Sequence, residues 1–143
     1  MEGGQVKNKR PANLLEAEMK LQNIMFRVND IDASLKFYQE VLGLKIVDKI
    51  DFQDSALHYL AVNEDAPRIV LCYNANHPET YTPGSSFGYV TFEVPSIEDF
   101  SARLQKAGYA FHREPFTISQ GEQVAFVKDP DGHSIELIEK NTP

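Results

Sequence analysis

Four histidines, one cysteine and one acidic turn are the groups in this sequence best suited to metal or nucleophile chemistry, and their spacing favours neither. His58, His77, His112 and His133 are scattered and do not form the closely spaced ligand sets of zinc sites. Cys72 falls inside an apolar run from Ile69 to Tyr73, where a free cysteine is more often buried and inert than reactive. Asp129-Pro130-Asp131-Gly132 is acidic enough for calcium, yet its proline and glycine suit a hairpin turn better. No nucleophile–base pair, phosphate loop or dinucleotide fingerprint is present.

Composition narrows the function classes. The chain has 143 residues, of which 42% are hydrophobic and 24% charged, as expected of one globular domain. A net charge of −7 with no sizeable basic patch argues against nucleic acid or an anionic membrane surface as the main partner. One cysteine allows no intramolecular disulfide and makes a reducing compartment the default. Residues 1–20 are polar and carry Glu2, Glu16 and Glu18, unlike a signal peptide, and no run is long enough to span a bilayer. The expected location is cytoplasmic.

The elements that position any site repeat. Phe26-Arg27-Val28-Asn29-Asp30-Ile31-Asp32 is echoed by Phe92-Glu93-Val94-Pro95-Ser96-Ile97-Glu98, and Pro67-Arg68-Ile69-Val70-Leu71 by His133-Ser134-Ile135-Glu136-Leu137, both at a spacing of 66 residues (26 to 92, 67 to 133). Neither copy buries much apolar surface alone, so two are expected to pack together with a cleft between them. An N-terminal arm over residues 1–20, with a short helix from Leu14 to Lys20 behind Asn13, precedes one domain at 21–140 with modules at about 21–76 and 86–140.

The first module predicts a strand over Leu21 to Val28 and a helix from Asp30 or Asp32 to Leu42, with Leu35, Tyr38 and Leu42 inward and Gly43 as the stop. Strands follow near Leu44 to Asp51, Ala56 to Val62 and Arg68 to Tyr73. The second predicts a strand over Phe87 to Val94, then a helix behind the capping sequence Ser96-Ile97-Glu98-Asp99, with Phe100, Leu104 and Ala107 inward and Gly108 at its end. Its strands are expected near Ala110 to Arg113, Gln123 to Lys128 and Ser134 to Glu139. Residues 77–86, with Pro78, Pro83 and Gly84, form the one long linker.

This doubled order of strand, helix and three strands resembles the vicinal oxygen chelate superfamily of glyoxalase I, bleomycin-resistance proteins and extradiol dioxygenases. The motifs are closest to glyoxalase I: Met25-Phe26-Arg27-Val28, Ser34-Leu35-Lys36-Phe37-Tyr38 and Val41-Leu42-Gly43-Leu44, then Ala125-Phe126-Val127-Lys128-Asp129-Pro130-Asp131-Gly132 and Ile135-Glu136-Leu137-Ile138. The resemblance implies an α+β fold of two βαβββ modules forming a half-open barrel cleft, and a homodimer. In catalytic members it implies four metal ligands, which match Asn23, Val70, Tyr89 and Glu136 here. The repeat pairs Asn23 with Tyr89 and Val70 with Glu136.

Only Glu136 retains a ligand of the usual kind. Val70 has no donor atom, a neutral amide at Asn23 is a poor ligand for zinc or nickel, and Tyr89 would have to lose a proton with a pKa near ~10. No cofactor is therefore expected, the alternative being one divalent metal, zinc or nickel. The resemblance places Arg27 and Asn74 where glyoxalase I holds the γ-glutamyl end of glutathione, and Ile50, Phe52, Leu57 and Tyr59 on the apolar wall, with Tyr89 as a further substrate contact. The basic residues that complete the glutathione site fall instead near Ser85 and near Ile118 or Gln120.

Each candidate has a plainer reading. Glu136 could act as a general base, or be a leftover acid satisfied by Tyr89 or Asn23. Arg27 could clamp a carboxylate, or pair with Glu93, its counterpart in the second repeat. His58 lies on the outer face of its strand if Leu57 and Tyr59 face the cleft. A substitute metal site would need His77 or His133 with Glu136 and Cys72. The leading expectation is a metal-free protein that binds a small, partly apolar carboxylate, with a glutathione adduct as one candidate. The alternatives are a lactoylglutathione lyase-like or other enzyme with a remodelled site, and an interaction module with a vestigial cleft.

Overall fold

The computed structural model describes residues 18–118 and 121–140. Most of the expected Leu14 to Lys20 helix lies outside them. The chain runs β1 (Asn23–Val28), α1 (Ile31–Lys36) continuing as a π-turn (Phe37–Val41), β2 (Lys45–Asp51), β3 (Ser55–Ala61) and β4 (Arg68–Asn74). It repeats as β5 (Tyr89–Val94), α2 (Ile97–Lys106), β6 (Arg113–Thr117), β7 (Gln123–Lys128) and β8 (Ser134–Glu139). The strands form two four-stranded sheets, β1-β4-β3-β2 and β5-β8-β7-β6, in which the first and last strand of each module pair in parallel. Among the described residues no helix is long and apolar enough to cross a membrane.

Both helices begin on side-chain caps. Asp30 accepts from the Ala33 N–H at 3.1 Å, and Ser96 from the Asp99 N–H at 3.0 Å. They differ in how they continue. α2 is regular and buries Ile97, Phe100 and Leu104, as its spacing predicts, with Ala107 half-buried. The first helix widens after Lys36, where the Leu42 N–H donates to the Phe37 carbonyl five residues back. The wider turn rotates the inward face, so Phe37 and Val41 are fully buried beside Tyr38 while Leu35 and Leu42 are only half-buried. Gly43 and Gly108 end the two helices at φ +77° and +87°, a region that residues with a Cβ enter only at a cost.

One core serves both modules. Phe26, Val28, Ile69 and Leu71 from the first sheet join Val127, Ile135 and Leu137 from the second, together with Phe37, Tyr38, Val41, Phe100 and Leu104 from the helices. Both sheets thus turn one face to the shared helical core, and side-chain alternation leaves Asn23, Met25 and Arg27, and Tyr89, Thr91 and Glu93, on the opposite faces.

The modules are also tied by polar contacts. Asp129, only 5% exposed, accepts from Tyr38 Oη at 2.7 Å and the His133 N–H at 2.8 Å, with His133 Nδ1 at 2.9 Å. Asp131 accepts from Asn29 through its backbone N–H at 3.0 Å and its Nδ2 at 2.7 Å, and from Ser34 Oγ at 3.3 Å. His133 stacks on Phe26 with ring centroids 4.3 Å apart. On the other side Arg103 Nε donates to the Val41 carbonyl at 2.9 Å. Burial, and then the Asp129 charge, raise the Tyr38 pKa well above its ordinary value, which keeps the phenol a donor.

Three strand boundaries correct the sequence reading, the first strand beginning at Asn23 rather than Leu21. The sixth strand is Arg113–Thr117 rather than Ala110 to Arg113, because this edge strand tolerates Pro115 beside a bulge. The fifth begins at Tyr89 rather than Phe87, whose ring instead packs edge-on against Phe26.

Candidate functional site

The register of the first sheet gathers most of the expected ligand-binding residues on the face away from the core. Arg27 lies opposite Cys72, Cys72 opposite Leu57, and Leu57 opposite Ile50. A second row runs Met25, Val70, Tyr59 and Asp48. Directly paired residues share a face, so Arg27 stands at one end of a mainly apolar surface. Phe52 follows the end of β2 and is 58% exposed. Arg27 is exposed and makes no ion pair among the described residues, so it does not bond to Glu93. Asn74 donates through Nδ2 to Tyr81 Oη at 2.9 Å, and Cys72 lies with its Sγ 3.9 Å from the Asn74 amide oxygen.

The linker after β4 folds back on this end of the sheet. Asn29 binds the Tyr81 backbone twice, donating from Nδ2 to its carbonyl at 2.9 Å and accepting from its N–H at 2.8 Å. The His77 and Tyr81 rings stack at 4.3 Å. Asp54, Ser55, Asn74, Asn76, His77 and Tyr81 line a polar hollow of about 350 Å³ beside the Arg27 end of the face.

On the second sheet, Thr91 pairs with Glu136 and Glu136 with Phe126. Thr91 Oγ1 donates to Glu136 Oε1 at 2.6 Å, so the carboxylate's partner is neither Tyr89 nor Asn23. Tyr89 is 56% exposed and its ring meets Phe126 edge-on at 5.6 Å. Within one chain, then, Asn23 and Val70 lie on the open face of one sheet, and Tyr89 and Glu136 on that of the other. Among the described residues no hydrogen bond joins the two pairs.

The donor set does not suit a divalent transition metal: an amide, an alkyl group, a phenol packed on Phe126, and a carboxylate bonded to a threonine hydroxyl. Nor do the histidines supply a substitute. His133 is committed to Asp129, His77 Nδ1 lies 2.6 Å from the Glu79 carbonyl, and His112 is exposed. His58 is on the face opposite Leu57 and Tyr59, but is buried there rather than outward, at 8% exposure. Among the described residues the one group of three potential ligands within coordinating distance is Asp129, Asp131 and His133. Their oxygens are already occupied by Tyr38, Asn29, Ser34 and two backbone N–H groups, which makes the group a clasp between modules.

Sequence reasoning passed over Arg68. It sits beside Asn23 in register and two residues before Val70, hence on the same open face, and its guanidinium carbon lies 5.6 Å from the Tyr59 ring centre. Strand alternation back from Val70 was a sufficient signal. Thr91 was missed because its role depends on the register between β5 and β8.

Comparison with known proteins gives this arrangement relatives. Residues 20–137 match the model of the Glyoxalase/Bleomycin resistance protein/Dioxygenase superfamily. A lactoylglutathione lyase of Neisseria meningitidis serogroup A is 33% identical over 128 residues, covering 87% of this chain and 93% of the relative. Glyoxalase I of Leishmania major, described as trypanothione-dependent, superposes with a TM-score of 0.74 at 29% identity, covering 85% of this chain and 87% of that one. Glyoxalase I of Zea mays superposes with a TM-score of 0.78 at 26% identity over 86% of this chain, which spans 45% of the maize chain.

Proposed function

The chain belongs to the glyoxalase/bleomycin resistance protein/dioxygenase superfamily, and we propose that it uses the family's open sheet faces to bind a small, partly apolar carboxylate without a metal. The observation that carries this reading is the contrast on those faces. The four positions matched to metal ligands hold Asn23, Val70, Tyr89 and Glu136, whereas Arg27, with no ion pair among the described residues, stands at the end of an apolar row. A guanidinium grips a carboxylate through two parallel hydrogen bonds, and the surface of Leu57, Ile50 and Tyr59 suits an apolar group. Asn74, oriented by Tyr81, offers its carbonyl oxygen at the same end. A polarising metal supplies the electrophilic half of an isomerisation in sites that hold one, so these replacements leave binding as the better-supported role.

The same reading assigns the cleft to two copies of the chain. The open faces lie on opposite sides of a shared core and expose large apolar groups, among them Met25 at 42%, Ile50 at 39% and Tyr89 at 56%. A homodimer that apposes the first sheet of one chain to the second sheet of another covers them and brings Arg27 towards Glu136 of its partner.

A second reading is favoured by the lactoylglutathione lyase relatives: Glu136, steered by Thr91, moves a proton on a glutathione adduct. One experiment separates the two. Metal analysis of tag-free protein is expected to find no stoichiometric zinc, nickel, iron or manganese, and calorimetry with S-lactoylglutathione in chelator to show saturable binding that Arg27→Ala weakens. Tightly held metal together with isomerase turnover would replace the binding reading with the enzymatic one.

A further inference from the structure

Between β1 and β5 the chain forms a half-open cavity of about 440 Å³. Leu21, Ile24, Leu60 and Ile69 from the first module and Phe92 from the second make its walls apolar. Three polar side chains break that surface, Arg68, Tyr89 and Thr91, the last already bonded to Glu136. Arg68 is half-buried, packs against the Tyr59 ring and makes no ion pair among the described residues. Its neighbours in register and sequence, Asn23, Pro67 and Ile69, carry no charge that could neutralise it.

A half-buried cation with no ion-pair partner among the described residues, at the border of an apolar cavity and in a chain of net charge −7, is a costly arrangement unless an anion arrives from outside. The stacking on Tyr59 restrains the guanidinium and leaves its edge donors available, which lowers the entropy lost when it is engaged. The size and lining resemble those of small-molecule sites: mostly apolar walls, a volume of a few hundred cubic ångströms and few polar groups.

We propose that this cavity is a separate binding site for an apolar monocarboxylate, whose hydrocarbon body lies between β1 and β5 and whose carboxylate pairs with Arg68, with the Tyr89 hydroxyl as a second donor. Neither Arg27 nor Asn74 lines it, but Arg68 and Tyr89 stand on the open faces, so the site adjoins the proposed cleft, and variants that leave Arg27 in place tell the two apart.

Calorimetric titration of the full chain with octanoate and with octanol tests it. Octanoate is expected to bind saturably at one per chain, and octanol, which has the same body without the charge, at least tenfold more weakly. In Arg68→Met, which keeps the stem but not the charge, octanoate should fall to the octanol level while octanol is unchanged, showing that the cavity is intact. Ala66→Phe, placed in the half-buried wall at the mouth, should exclude both in a chain that circular dichroism shows folded. Lys36→Met, at an exposed cation on α1, should change neither. Equal binding of the two probes to the wild type, or undiminished octanoate binding by Arg68→Met or by folded Ala66→Phe, would overturn the assignment.

Discussion

The first module presents on its open face an apolar row flanked by Arg27 and Arg68, whereas the second presents Tyr89, Thr91, Glu93 and Glu136. The backbones are near-copies with the same strand order and the same parallel closure. The difference therefore lies in the side chains: the first face sets two arginines and one carboxylate, Asp48, around an apolar row, whereas the second mixes Glu93 and Glu136 with Arg113 and Lys128. An apolar row flanked by arginines suits the capture of an anion with an apolar body better than a face of mixed charges and hydroxyl groups. The same asymmetry holds inside. The first module widens its helix into a π-turn to bury Phe37 and Val41, while the second keeps a regular helix. Duplication has preserved the positions and let the chemistry at each diverge.

Separating the modules should have the largest effect. Asp129→Ala removes the acceptor for Tyr38 and His133 at a site 5% exposed, leaving buried donors unpaired. Urea unfolding should show a loss of about 3–5 kcal/mol. A loss below about 1 kcal/mol would mean that the modules are held by their apolar core alone.

Next comes restoring the symmetry of donors. The triple change Asn23→His, Val70→Glu and Tyr89→His gives both modules metal-binding side chains alongside Glu136. If two chains bring these positions together, zinc or nickel at a hundredfold over its dissociation constant should stabilise the variant by about 2.7 kcal/mol and favour the dimer in sedimentation. A folded variant indifferent to metal would break both the dimer cleft and the pairing of the repeats.

Much of this comparison was legible in the sequence. The repeat located seven of the eight strands to within about two residues at each end, because alternation and apolar runs are local signals. It missed the π-turn, since one extra residue in a turn leaves the composition of 37–41 unchanged, and it misplaced β6, whose Arg113-Glu114-Pro115 reads as loop. The Asp129 clasp looked like a plain hairpin because its partners lie 91 to 102 residues away. Face assignments for Arg27, Leu57 and Tyr59 followed from alternation, but which faces meet depends on the shared core and could not.

The different placement of charge on the open faces gives the third prediction. Arg27→Ala should weaken binding of S-lactoylglutathione by about 1.5–3 kcal/mol, the scale of a hydrogen bond to a charged group. Its counterpart Glu93→Ala should shift it by less than about 0.5 kcal/mol, within the range of surface substitutions. Equal losses, read by calorimetry, would erase the functional asymmetry between modules.

The helix ends, by contrast, should behave alike. Gly43→Ala and Gly108→Ala each place a Cβ at positive φ, and each should cost about 1–2 kcal/mol in thermal or urea unfolding. A Cβ at Gly108 meets nothing within 4 Å, and one at Gly43 meets only the Arg103 guanidinium at 3.8 Å, an ordinary contact. A markedly larger cost at Gly43 would show that the Arg103 bond to Val41 is the more sensitive junction.

The smallest effect should come from a residue that only the first module carries. His58 pairs with Leu71 on the core side, where the second module pairs Ala125 with Leu137. His58 is 8% exposed with Nδ1 unpartnered, and burial, followed by the Lys49 charge across the strand, lowers its pKa. A depressed histidine folds in its neutral form. Stability is then full above the unfolded value of about 6.5 and declines as pH falls towards the folded value, because the unfolded chain binds the proton more readily. His58→Leu removes both the titration and the unpartnered nitrogen. The difference in unfolding free energy between variant and wild type should therefore widen in the variant's favour as pH falls from 7 to 5 and stay flat above 7.5. Lys49→Gln should reduce that slope without abolishing it, since burial is the larger cause. A difference that stays flat across the whole range would mean that His58 accepts its proton within the fold as easily as outside it.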